Sequence, residues 1–166
     1  EHPRADSTVG ICTQYGSEGG GVAGTDPLPP ELQQTRFLVP EGFVVELVAA
    51  EPQIAKPMNL AFDRRGRLWV TSSVEYPWPA KEENEARDTL TILEDTNGDG
   101  RADKATVFAD KLNIPIGVLP LPDGAIVYSA PYLYRYYDDD GADRADRREI
   151  LYGPFGTGDT HGMING

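Results

Sequence analysis

The chain has 166 residues, enough for one ordinary core, and 39% of them are hydrophobic, so composition favours a folded domain over a disordered one. Fifteen basic residues against 27 acidic ones give a net charge of −12, which repels a phosphate backbone and excludes a nucleic-acid partner of the usual basic kind. A single cysteine, Cys12, rules out a disulfide framework or a Cys-x-x-Cys site, and no stretch approaches the roughly 20 apolar residues of a membrane-spanning helix.

Residues 1–35 read as a flexible tail or linker. Gly16-Ser17-Glu18-Gly19-Gly20-Gly21 and Asp26-Pro27-Leu28-Pro29-Pro30 carry no hydrophobic periodicity. Cys12 and His2 lie in this part and carry no chemistry. The chain opens on Glu1 rather than Met and stops at Met163-Ile164-Asn165-Gly166, as a processed chain or an internal piece would.

From residue 36 onward the pattern is all-β. Phe43 to Val48 is apolar and β-branched between turn residues and reads as a strand. Eight more short strands follow: Asn59–Phe62, Leu68–Ser72, Thr89–Leu93, Ala105–Phe108, Gly117–Leu119, Ala125–Ser129, Leu133–Tyr137 and Glu149–Tyr152. Fourteen prolines and eighteen glycines supply the turns between them. One longer loop, Glu75 to Asp88, holds Tyr76-Pro77-Trp78-Pro79 and then a mixed-charge run that suits a solvated face. The aromatic part is either a plug against the sheet or the cap of a pocket.

The chain also repeats itself. Leu90-Thr91-Ile92-Leu93-Glu94-Asp95 returns 43 residues later as Leu133-Tyr134-Arg135-Tyr136-Tyr137-Asp138, and Ala102-Asp103-Lys104 returns as Ala145-Asp146-Arg147. Phe62 to Val70 likewise sets beside Leu121 to Tyr128. A period in the low forties with four short strands per unit is the pattern of β-propeller blades. The expectation is a partial propeller of about two to three four-stranded antiparallel blades, residues 36–166, belonging to a larger ring that needs roughly four to eight blades to close. A small stand-alone sandwich is the alternative, and the repeat argues against it.

Both copies of the repeat carry an acidic turn. Asp95, Asn97, Asp99 and Asp103 place side-chain oxygens at positions 1, 3, 5 and 9, with the Arg101 carbonyl at 7 and Gly100 at the sharp turn. Calcium takes six to eight hard oxygen ligands, and alternating side chains around a tight turn converge on one point. Thr106 stands at position 12 and the flanks are strands, so this is no EF-hand but a calcium-type turn within a β-hairpin. In the second copy Asp138, Asp140, Asp146 and Glu149 fall at positions 1, 3, 9 and 12, while Ala142 removes the fifth and Asp143 replaces the glycine. By spacing the first turn is the better site, and the alternative for both is an acidic hairpin that binds nothing.

Taken together, several segments resemble one family. They are Phe37–Phe43, Val45–Pro52, Gly66–Val70, Glu75–Trp78, Asp95–Asp103, Thr106–Asp110 and Phe155-Gly156-Thr157-Gly158-Asp159-Thr160-His161. The family is the membrane-bound dehydrogenase domain of planctomycete and verrucomicrobial type, whose members are often named haem-binding CxxCH proteins. The resemblance implies an exported, extracytoplasmic protein with a propeller similar to glucose/sorbosone dehydrogenases. It further implies oxidation of a sugar or alcohol with pyrroloquinoline quinone as cofactor, and haem c only where a downstream domain carries CxxCH. It would make His161 the general base, oriented by Asp159, although Gly162 stands where members often show a second histidine. The alternatives are that His161 is an ordinary turn residue, and that the whole is a non-catalytic, calcium-stabilised propeller serving as a binding or scaffold module.

Overall fold

The computed structural model describes residues 27–161. His2, Cys12, most of the tail, Gly162 and the closing Met163–Gly166 lie outside them. The fold is all-β, with two four-stranded antiparallel sheets. The first sheet comprises β1 (Pro57–Phe62), β2 (Leu68–Ser72), β3 (Asp88–Glu94) and β4 (Lys104–Leu112). The second comprises β5 (Gly117–Leu121), β6 (Gly124–Ser129), β7 (Tyr132–Tyr137) and β8 (Arg147–Tyr152). In both, spatial order follows chain order, and every strand pairs with its chain neighbour. The repeat is visible here, because its copies occupy the third and fourth strands of each sheet.

The strand alternation explains which faces meet. Trp69, Leu90, Ile92, Phe108 and Leu112 of the first sheet pack against Ala125, Val127, Tyr134 and Tyr136 of the second in one buried cluster. Trp69 and Phe108 make the aromatic centre, with ring centroids 4.7 Å apart. The opposite face of the first sheet, Val70 and Leu93, is covered by Ala49 and Ile54. Strands β2 and β3 are thus buried on both faces, which is why they read as near-continuous apolar runs. Strand β8 is exposed along its whole length.

Two stretches differ from the sequence expectation. Phe43–Val48 forms no strand, since no ladder partner lies beside it. It is held instead by single bonds: Gln34 Nε2 donates to the Val45 carbonyl, Arg101 Nε to that of Leu47, and the Ala102 amide to that of Val48. A β-branched run favours extended backbone, but a strand also needs an open edge to join. Within the segment read as linker, Pro30–Gln34 forms a short helix, α1, with proline at its start. No helix among the described residues is long and apolar enough to cross a membrane.

Candidate functional site

An antiparallel meander puts successive turns at alternate ends of the sheets. One end carries the turns at 63–67, 95–103, 122–123 and 138–146. The other carries the loop 73–87, the connection 113–116, the Ala130-Pro131 turn and the segment 153–161. The first end is strongly acidic.

In the first acidic turn the side chains are occupied by the backbone. Asp95 accepts hydrogen bonds from the amides of Gly98, Asp99 and Gly100 at 2.7, 3.3 and 2.8 Å. Asn97 accepts from the Asp99 amide, and Asp99 from the Arg101 amide. Asp103 turns to Thr96, taking both its amide and its hydroxyl. The Gly100 amide above all, with Gly98 and Asp99 adding to it, holds the Asp95 carboxyl below its ordinary range. Gly98 and Gly100 have φ of +81° and +86°, as the tight turn requires. The Arg101 side chain leaves the turn for the Leu47 carbonyl and Glu31.

The second turn departs from the spacing argument. Asp138, Asp140 and Asp146 each present an oxygen, and these lie within 4.8 Å of one another. Asp138 Oδ2 accepts from the Asp143 amide, Asp140 Oδ1 from Ala142 and Asp146 Oδ2 from Asp139. Asp138 Oδ1 is buried with no hydrogen-bond partner. An enclosed carboxylate oxygen without a donor is costly unless a cation or water meets it. Glu149 does not join the group. It sits opposite Arg135 on β8 and accepts from the Tyr137 hydroxyl.

Asp143, which removes the expected glycine, has φ +59° and makes a contact that the sequence did not suggest. Its carboxylate meets Arg67 Nη1 of the first sheet at 2.7 Å, while Arg67 Nε meets Asp63 at 2.7 Å. The Arg67 side chain is 11% exposed. Asp63 also accepts from the Trp69 indole at 3.1 Å. Burial raises the Asp63 carboxyl, but the bonds from Trp69, Arg67 and Arg65 outweigh it and hold it low. This triad ties the two sheets together at the acidic end.

At the other end a buried carboxylate plays the same part. Asp88 accepts from Ser73 Oγ (2.7 Å), the Val74 amide (2.6 Å), the Glu75 amide (3.2 Å) and the Ile114 amide (2.8 Å). It thereby anchors the 73–87 loop to the link between the sheets. Burial and then the Asp88 carboxyl beside it push Glu75 above the usual carboxyl range, against the pull of Arg87.

His161 and Asp159 are brought together in the segment after β8. Asp159 Oδ1 accepts the His161 amide at 2.9 Å and lies 3.5 Å from Nδ1. The side chains are 75% and 74% exposed, and the imidazole meets Tyr76 edge-on at 5.7 Å. The aromatic part of the long loop therefore reaches His161, while Trp78 stands 80% exposed.

The class these features define is an all-β domain of paired antiparallel meanders, with acidic hairpin turns at one end. More particularly, the chain belongs to the family described as Domain of unknown function (DUF7133), whose model matches residues 29–166. No curated protein and no solved structure matches it.

Proposed function

We propose that the two sheets are successive blades of a β-propeller and that the domain is a calcium-stabilised, extracytoplasmic binding or scaffold module. The observation that carries the reading is the buried, partnerless Asp138 Oδ1 beside the carboxylates of Asp140 and Asp146. A hard divalent cation fits that donor set, with backbone carbonyls and water completing the shell. The Asp95–Asp103 turn is the second place for an ion, but its carboxylates are already engaged by amides and by Thr96. Weak calcium sites of this kind fill at the millimolar levels met outside the cytoplasm, which favours that location.

The test is thermal unfolding with calcium or excess EGTA, beside terbium luminescence sensitised by Tyr136 and Tyr137. Calcium should raise the Tm, by about 2.7 kcal/mol of stabilisation at a hundredfold excess over Kd. Asp138→Asn should abolish most of that gain and the luminescence. An unchanged melting curve in EGTA, with no terbium signal, would sink the reading.

A dehydrogenase is the second reading, favoured by the His161–Asp159 pairing at 3.5 Å. An imidazole so oriented can take a hydroxyl proton from a sugar or alcohol. Both side chains stand in solvent, however. Turnover of a sugar and alcohol panel with added quinone and a dye acceptor, lost in His161→Ala, would establish the enzyme. Absence of turnover in both proteins would remove it.

A further inference from the structure

The non-acidic end of the sheets holds a cavity of about 470 Å³, within the range of small-molecule sites. Lys81, Lys111, Asn113, Ser129, Tyr132 and Thr157 contribute to its walls. These residues come from four separate stretches of chain, and specific bonds fix Asn113, Ser129 and the residue beside Lys81. The Asn113 side-chain amide donates to the Ala80 carbonyl at 3.0 Å and accepts from the Ala80 amide at 3.1 Å, which holds the neighbouring Lys81 at the rim. The Asn113 backbone amide donates to Ser129 Oγ at 2.8 Å. That leaves the Ser129 hydroxyl proton without an acceptor among the described residues.

The backbone at this corner is strained. Lys111 has φ +54° and Ile114 has φ +46°, conformations that side chains of L-residues disfavour by roughly 1–2 kcal/mol each. For a β-branched residue such as Ile114 this is a marked outlier. The strain is sustained by Asp88, which takes the Ile114 amide, and by the two Asn113 bonds to Ala80. Strain over-determined in this way concentrates at ligand sites.

The charges are the third observation. Lys81 and Lys111 are both exposed, and neither pairs with a carboxylate among the described residues. In a chain of net charge −12, two cations at one cavity mouth without a carboxylate partner present an anion site.

We propose that this cavity binds a small ring-bearing oxyanion, a carboxylate or a phosphate monoester. Lys81 and Lys111 meet the charge, the Ser129 hydroxyl donates to it, and the Tyr132 ring flanks the ligand's ring. The site does not depend on the acidic turns at the opposite end.

The experiment is an amide-shift NMR titration of the full chain with benzoate and phenyl phosphate, using benzyl alcohol as the uncharged control. Saturable shifts are expected at residues 80–81, 111–114, 129–132 and 157 with at least one anion, and at least tenfold weaker binding of the alcohol. Which anion binds more tightly separates carboxylate from phosphate as the source. Lys111→Asn removes the cation with a residue that accepts positive φ, and should weaken anion binding at least tenfold. Lys81→Gln, at an exposed rim position, should weaken it severalfold and serves should Lys111→Asn perturb the fold. The proposal is overturned if neither anion gives saturable shifts there, if the alcohol binds equally well, or if both folded variants bind as wild type.

Discussion

Replacing Asp88 by alanine tests how the two sheets are held together. The carboxylate receives four hydrogen bonds from two segments, Ser73 to Glu75 on one side and Ile114 on the other. Ser73 and Ile114 are fully enclosed, whereas the Val74 and Glu75 bonds are only part-buried and water can replace the carboxylate there. Bonds to a charged group contribute about 1.5–3 kcal/mol each, and a buried donor left without a partner costs a comparable amount. Counting only the two enclosed donors, Asp88→Ala should cost about 3–6 kcal/mol. Asp88→Asn keeps one accepting oxygen and should cost about half as much. Urea unfolding followed by the fluorescence of the buried Trp69 and by far-ultraviolet circular dichroism gives both numbers. Hydrogen exchange at the Ile114 amide supplies a local readout. A loss below about 1 kcal/mol in Asp88→Ala, with Ile114 still protected, would refute the argument.

Three further outcomes are expected. Glu75 holds its proton more tightly when folded, so its contribution is present in acid and is lost as pH rises through its raised pKa. Glu75→Gln should therefore raise the Tm at pH 7.5, with the difference closing as pH falls toward about 4, the ordinary glutamate range. Its Arg87 partner is 71% exposed, so losing that ion pair matters little. Arg67→Ala leaves Asp63 and Asp143 facing each other without their cation and should cost about 2 kcal/mol by urea titration, less than a fully enclosed pair because Asp143 retains some solvent. Leu90→Ala in the shared core should cost about 3 kcal/mol in the same assay, and a loss under 1 kcal/mol would place Leu90 outside the core.

The eight paired strands are legible in the sequence because each holds a short apolar stretch and closes on Gly, Pro, Asn, Asp or Ser, and local chemistry decides such elements. Phe43–Val48 misleads for the converse reason. Its residues favour extended backbone, but pairing depends on an edge that no local pattern reveals. The acidic turns were readable as turns, with Gly100 at positive φ as its position demands. Which turn gathers its carboxylates was not readable. Counting positions favours Asp95–Asp103, yet Asp103 swings to Thr96 while Asp138, Asp140 and Asp146 converge. Asp143 reads as damage to a motif and proves to be the far end of an ion pair with a residue 76 positions away. Asp88 reads as the polar end of a loop, and its buried contacts become visible only when Ile114 arrives beside it.

Because every strand pairs with its chain neighbour, the backbone ladders of each sheet can close through short loops, and little loop entropy is lost in forming them. Docking one meander on the other is the step that local pairing does not supply. That step fixes the Trp69–Tyr136 core, the Arg67–Asp143 pair and the Asp88–Ile114 bond together. The shared core and the two ties at the seam should therefore be lost together in urea, in one transition.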